Sequence, residues 1–243
     1  AILLSAGIPL PRQIFVHGFI TSGGRKMSKS IGNVIDPNEF ITEFGSESVR
    51  YFLAREISPT EDGDITRENF TAAYNANLAN GLGNLISRTL TMATQYFGGV
   101  ILEQKGSDTP LKAKLETVSG QGSTEGFSIP YVIHNTILPE YFDHMDAFRI
   151  NAGADAIWKL IGHLDGYITD YEPFKLVKTD KEKTENIIWN LLYGLYHIAY
   201  MLDPIMPKTA EKIFEHIGAS IDERNAPISF NAKSVSEPMF KRK

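Results

Sequence analysis

The chain has 243 residues, 42% of them hydrophobic and 22% charged, so it can bury the core of one large or two small domains. It has no cysteine, which excludes disulfides and cysteine-based metal sites, and no apolar stretch near the roughly 20 residues of a membrane span, so we expect a cytoplasmic protein without a membrane partner. The net charge of −5 argues against a strongly basic nucleic-acid binder, although local basic patches can bind RNA on an acidic protein.

A helix end, a strand and a loop are the first predicted elements, over residues 1–35. The strand is the β-rich apolar run from Ile14 to Ile20, and the loop carries Lys26-Met27-Ser28-Lys29-Ser30 among glycines. Glycines let the backbone approach a ligand, serines offer hydroxyls, and each lysine presents a compact charge, so this loop suits a polyphosphate. For a lone pair of lysines, the alternative is a solvated basic turn.

The run from Val16 to Pro37 resembles the second signature of class I aminoacyl-tRNA synthetases, and all five positions of the lysine-serine motif match. Residues 5–11, 50–57 and 61–65 resemble methionyl-tRNA synthetases more than the leucyl, isoleucyl, valyl or cysteinyl enzymes, which remain the alternatives. The resemblance is dense over residues 1–100 and recognisable again over 165–218. It identifies methionine as the leading amino-acid substrate.

The resemblance implies a ligase that activates methionine with ATP and Mg²⁺ and then transfers it to tRNA(Met). It implies that Lys29 is the main catalytic clamp on the departing pyrophosphate and that Lys26 assists it. Ser28 and Ser30 would complete the ATP-binding loop. His17 and Gly18 would line the adenine side of the nucleotide.

The first signature of the class, a His-x-Gly-His turn that packs on ATP, is absent because none of the six histidines has that spacing. We therefore expect a fragment that lacks most of a catalytic domain, is inactive alone, and binds no cofactor or metal by itself. The alternatives are a stand-alone, non-catalytic tRNA-binding module and a helical interaction scaffold without RNA.

Residues 1–64 are expected to form the C-terminal edge of a Rossmann-type α/β catalytic domain with a connecting helical region. In that region Asp36 can cap a helix that begins at Pro37 and stops at Gly45. The acidic turn over 61–64 is interpreted as first-turn acids of the next helix, with a metal site as the weaker alternative. Residues 65–243 are expected to form a mainly α-helical bundle, the anticodon-binding domain.

A long helix is predicted from Arg67 to Phe97, because apolar residues recur there at helical spacing. Asn80, Asn84 and Arg88 follow one another at i+4 and so line one polar ridge beside the apolar stripe. Such groups can read the edges of unstacked RNA bases or hydrogen-bond neighbouring helices. Their pattern resembles the anticodon-facing helix of methionyl-tRNA synthetases, which favours RNA binding.

Residues 102–130 are rich in Gly, Ser, Thr, Lys and Glu, which predicts a flexible insertion. Further on, the stretch from Asp165 to Lys175 resembles the family's Asn-x-Tyr-Ile … Pro-Trp segment, and Pro173 and Phe174 stand at its anticodon-binding end. Asp165 replaces the usual asparagine, and Phe174 replaces the usual tryptophan that stacks on a base. Phe174 keeps an aromatic face for stacking, and the alternative is an ordinary buried phenylalanine after a proline.

The residues beyond Ser220 form a polar tail that ends in Lys241-Arg242-Lys243. Such a tail is expected to be solvated or disordered, with a weak RNA contact as the alternative.

Overall fold

Helices form most of the chain in a computed structural model, which describes residues 1–103, 126–221 and 229–243. Two small sheets lie beside them, one near the N-terminus and one that joins the middle of the chain to its C-terminal segment. The helices therefore bury most of the core, and the first sheet carries the lysine motif.

The first sheet is built on a hairpin. After the short helix α1 (Ile2–Ser5), strand β1 (Ile20–Ser22) pairs antiparallel with β2 (Arg25–Lys26), and β3 (Gly63–Asp64) pairs parallel with β1. Gly23 and Gly24 form the tight turn because both have positive φ, which a two-residue hairpin loop of this hand requires.

The connecting region is a pair of short helices. Helix α2 (Pro37–Phe44) begins where predicted, since the Asp36 carboxylate accepts a hydrogen bond from the backbone N–H of Asn38. Gly45, at φ +87, ends it, and α3 (Ser46–Tyr51) continues into a π-helical turn (Phe52–Glu56). The helix predicted to begin at Pro37 and stop at Gly45 is confirmed.

The long helix predicted from Arg67 to Phe97 is continuous, but it is not α-helical throughout. It comprises α4 (Arg67–Ala73), a π-helical segment (Tyr74–Gly83) and α5 (Asn84–Phe97). Wider turns in the π-helical segment change the direction in which its side chains point. Asn80 lies in that segment, whereas Asn84 and Arg88 lie in α5. The three side chains therefore do not form the straight row expected from uniform α-helical spacing.

A helical bundle follows. In chain order it contains α6 (Ile129–Val132), a π-helical turn (Ile133–Ile137), α7 (Leu138–Asp146), α8 (Ile150–Tyr171), α9 (Pro173–Leu176), α10 (Lys181–Leu202) and α11 (Pro207–Ile217). Helix α10 is the centre of the bundle, since it packs against α5, α8 and α11 and is buried along most of its length. A Cβ at Gly194 would lie 2.5 Å from the Leu164 side chain, so α10 and α8 approach closely at that point.

The C-terminal segment is ordered where the structure describes it, but its last three residues, Lys241-Arg242-Lys243, are exposed, as expected of a solvated tail. Strand β4 (Val100–Leu102) pairs antiparallel with β5 (Ser229–Asn231), and Phe230 between them is buried. Apolar side chains in the segment explain the order, because they pack on the core.

Most of the predicted insertion over 102–130, namely residues 104–125, lies outside the described residues. Its two ends are part of regular structure, since Leu102 lies in β4 and Ile129 begins α6 and is buried.

The connecting region is joined to the bundle by polar contacts from α3 to the first turn of α11 and to the residues just before it. The Glu47 carboxylate accepts hydrogen bonds from the backbone N–H groups of Lys208, at 2.6 Å, and Thr209, at 2.8 Å, at the first turn of α11. Arg50 donates to the carbonyl oxygens of Pro204, at 2.8 Å, and Ile205, at 2.7 Å. These bonds satisfy backbone groups that the helix end leaves free.

Glu47→Gln is expected to destabilise the chain by about 1–2 kcal/mol, because the amide loses a charge at a helix N-terminus and one of two acceptor oxygens. Thermal unfolding measures this as a lower midpoint. Glu211→Gln is the matched control, since Glu211 is exposed on α11, the helix whose first turn Glu47 contacts. Equal midpoints for the two variants would contradict a docking role for Glu47.

Candidate functional site

The lysine motif lies on an exposed turn that its own chain closes. Asn33 accepts a hydrogen bond from the Ser28 N–H at 2.8 Å and donates to the Lys26 carbonyl oxygen at 3.3 Å. Ser28 and Ser30 share a hydroxyl hydrogen bond of 2.8 Å. The sequence interpretation missed Asn33; the signal for it was an asparagine directly after a turn glycine.

The two lysines differ in their surroundings. Lys29 is exposed, whereas the Lys26 ammonium lies 4.2 Å from the ring centroid of Phe19. A cation over an aromatic face is weakly held, so Lys26 is partly oriented and Lys29 is free to move. Both charges point away from the core and can meet an anion from solvent.

Two acids of the 61–64 turn hold the hairpin that carries the lysines. Asp62 accepts from the Phe19 N–H at 2.8 Å, and Asp64 accepts from the Gly24 N–H and the Thr21 hydroxyl, both at 2.8 Å. The hydrogen bond from Gly24, and then that from Thr21, lowers the pKa of the Asp64 carboxyl below its ordinary value.

The interpretation of these acids as first-turn acids of the next helix is therefore wrong. Thr66 caps that helix instead, in a capping box with Asn69. In the parts of the chain that the structure describes, no group of three or more His, Asp or Glu side chains could hold a metal ion.

The strand predicted from Ile14 to Ile20 is wrong, because β1 begins only at Ile20. His17 and Gly18 precede β1, and they are not gathered with the lysines. They line a cavity of about 540 Å³ between the hairpin region and the bundle, together with Arg50, Leu53 and Met145 among others. Gly18 is required there because a Cβ would lie 2.0 Å from the Glu61 carbonyl oxygen. Their assignment to the adenine side stays a prediction.

Asn80 and Asn84 of the polar ridge are exposed and Arg88 is half-buried, and two of the three side chains contact other residues. Asn84 is exposed on α5, and Arg88 places a guanidinium nitrogen 3.7 Å from a carboxylate oxygen of Asp165 on α8. Burial raises the pKa of the Asp165 carboxyl above its ordinary value, and the charge of Arg88 offsets only part of that rise. Asn80 is exposed too, yet its side-chain oxygen accepts from the Arg242 Nε at 2.7 Å.

Phe174 is exposed, with 42% of its surface accessible, while Pro173 before it is buried. The alternative of an ordinary buried phenylalanine is therefore wrong. Glu172, at φ +43, ends α8 and turns the chain so that α9 presents this ring to solvent. The Lys175 ammonium lies 5.9 Å from the ring centroid, so a flat apolar face and a cation stand side by side.

Comparison with known proteins gives a consistent result. The family model for class I tRNA synthetases (M) matches residues 1–90. The methionine-tRNA ligase of Thermotoga maritima is 34% identical over 256 aligned residues, which cover 100% of this chain and 37% of that protein. The methionine-tRNA ligase of Lactococcus lactis is 37% identical over 96% of this chain and 32% of its own length.

Solved structures agree. A Mycobacterium tuberculosis methionyl-tRNA synthetase in complex with methionyl-adenylate superposes with a TM-score of 0.80 and 28% identity, over 99% of this chain and 46% of that one. The free-state structure of the same enzyme gives a TM-score of 0.76 at 25% identity. This chain thus spans less than half the length of the proteins it matches, and none of its described helices is long and apolar enough to cross a membrane.

Proposed function

We infer that this chain, which is similar over its whole length to methionine-tRNA ligases, is the part of such a ligase that carries the pyrophosphate clamp and recognises the anticodon. Residues 1–64 would be the edge of a Rossmann-type catalytic domain, and residues 65–243 the anticodon-binding bundle. The observation that carries this proposal is the exposure of two separate groups: the lysines of the closed turn, and the Asn84 and Phe174 side chains on the bundle, together with the half-exposed Arg88.

The lysine turn supports a role in charge stabilisation. In the complete enzyme, methionine would attack the α-phosphate of ATP, and negative charge would build up on the departing pyrophosphate. Mg²⁺ bound to ATP would supply part of the neutralising charge. Lys29 is exposed on a flexible stem and can follow this charge, while Lys26 is oriented over Phe19. Asn33 shapes the turn so that both lysines leave it on the solvent side.

The bundle surface supports recognition of an unstacked RNA loop. Asn84 offers a donor and an acceptor to a base edge, and Arg88 offers a planar fork of donors. Phe174 supplies a face on which a base can stack. With these contacts the partner would be tRNA(Met), and the substrates of the complete enzyme would be methionine and ATP in the cytoplasm.

The experiment that tests the proposal measures binding of a methionine anticodon stem-loop to this chain over a range of salt concentrations. Anticodon-dependent binding that weakens as salt rises is expected, because phosphate contacts release counterions. Binding that does not depend on the anticodon bases would contradict the proposal. Absence of binding would also contradict it and would favour the alternative of a helical interaction scaffold without RNA. In the complete ligase, amino-acid-dependent pyrophosphate exchange with leucine, isoleucine or valine in place of methionine would favour another class I enzyme.

Phe174→Ala is expected to weaken stem-loop binding by about tenfold, since base stacking on an aromatic side chain contributes about 1–3 kcal/mol. Phe142→Ala is the matched control, because Phe142 has the same 42% exposure but lies on α7. Phe174→Trp restores an indole donor and should bind at least as well as the natural chain. Equal losses for the two alanine variants in a fluorescence titration would contradict the stacking role.

A further inference from the structure

The last nine residues, 235–243, form a strap along the long helix; we call them the C-terminal strap. The Tyr74 hydroxyl donates to the Lys241 carbonyl oxygen at 3.0 Å. Asn75 exchanges two hydrogen bonds with the backbone of Lys243, at 2.7 and 3.0 Å. These bonds satisfy the strap's backbone and fix its register on the π-helical segment.

Apolar contacts hold the strap as well. The Phe240 ring packs edge-on against Tyr74 with centroids 6.3 Å apart, and Val235 and Met239 pack against the core. A Cβ at Gly83 would lie 3.4 Å from the Phe240 ring, so the helix offers a flat place for this side chain. The strap is thus seated by its own side chains before any ligand binds.

An open cleft of about 580 Å³ lies between the strap and the helix. Asn80, Asn84 and Ser87 line its helix side, and residues 240–242 with Pro238 line its strap side. The predicted base-reading residue Asn84 therefore shares a cleft with the basic end of the chain. The cleft is large enough for a nucleotide and is lined by polar groups on both sides.

The charges in the cleft are not equivalent. Lys241 pairs with Glu237 at 2.7 Å on the strap itself, which offsets its charge locally. Arg242 donates its Nε to the Asn80 oxygen, and no carboxylate pairs with it among the residues that the structure describes. The Asn80 bond leaves the other guanidinium donors for a ligand, and their planar fork matches a phosphate.

We propose that this cleft is a nucleotide subsite in which Arg242 contacts a phosphate of the bound RNA and Asn80 positions Arg242 rather than reading a base. The inference rests on the proposed anticodon recognition and deepens it. The Asn80 oxygen has two lone pairs, and the bond from Arg242 uses one of them, so the contact that the structure shows for Asn80 is one that holds the guanidinium. Asn84 keeps both its groups for the base.

The test is a salt titration of anticodon stem-loop binding to Arg242→Gln. A lost phosphate contact should weaken binding by about three- to tenfold, equally for all anticodon base substitutions, and reduce the slope of log K against log salt by about 0.7. Lys233→Gln is the matched control, since it removes one exposed charge from the same C-terminal segment, next to β5. It should leave the slope unchanged. Arg242→Lys should keep most of the slope.

A double-mutant cycle separates positioning from base reading. Asn80→Ala should weaken binding less than Arg242→Gln, add little in the Arg242→Gln background, and leave the preference among anticodon bases unchanged. The inference would be overturned if Arg242→Gln kept the salt slope of the natural chain, or if Asn80→Ala changed the preference among anticodon bases. In either case the proposed function would still stand. If the natural chain shows no anticodon-dependent binding, the proposed function fails, and this inference fails with it.

Discussion

Lys29→Ala in the complete ligase is expected to slow methionine-dependent pyrophosphate exchange by about 100-fold or more, which corresponds to about 2.7 kcal/mol of transition-state stabilisation. Lys29 is exposed on the closed turn, and no other contact holds its charge among those that the structure describes. Its charge is therefore free to act on the leaving group. Since the ammonium meets charge that develops only during the reaction, kcat should fall more than KM rises.

Neighbouring cations provide the controls for Lys29. Arg25→Ala removes an exposed charge from the adjacent β2 and should change the exchange rate by less than about threefold, because exposed charges separated from the leaving group are screened. Lys26→Ala should give an intermediate loss, since Lys26 is partly held over Phe19. An unchanged exchange rate for Lys29→Ala would disprove the clamp assignment, and so would a loss for Arg25→Ala as large as the loss for Lys29→Ala.

Arg88→Ala is expected to weaken binding of tRNA(Met) by about 10- to 100-fold, or about 1.4–2.8 kcal/mol. The change removes donors to a base. It also leaves the half-buried Asp165 without its ion-pair partner, so that a carboxylate faces the approaching RNA. Like-charge repulsion adds to the lost contact, which makes this the largest expected effect on the RNA surface.

Two variants divide these contributions. Adding Asp165→Asn to Arg88→Ala should recover part of the affinity, because it removes the unpaired carboxylate charge. The recovery should be incomplete, because the donors of the arginine are still missing. Arg149→Ala is the matched cation control at the opposite end of α8, where Arg149 is exposed and donates to His144 at 3.0 Å. If filter binding shows the same loss of affinity for Arg149→Ala and Arg88→Ala, the loss comes from the change in net charge, and the specific role of Arg88 is contradicted.

Features that depend on neighbours in sequence were predictable from sequence. The helix at Pro37 follows from Asp36 as a cap and from proline at the first position, and its end follows from Gly45. The helical periodicity of residues 67–97 also predicted a long helix, although the π-helical turns inside it were not foreseen. The lysine motif is contiguous, and it already indicated a phosphate-binding turn.

Features that depend on contacts distant in sequence were decided only by the tertiary structure. Asp64 binds Gly24 across 40 residues, Glu47 binds Thr209 across 162, and Arg242 binds Asn80 across 162. A carboxylate, amide or guanidinium can satisfy itself with many partners or with water, so composition and spacing do not select one. The Asp36 cap and the lysine turn could be predicted because local geometry determines them. The distant partners of Asp64, Glu47 and Arg242 depend instead on how the bundle, the hairpin and the C-terminal strap pack together.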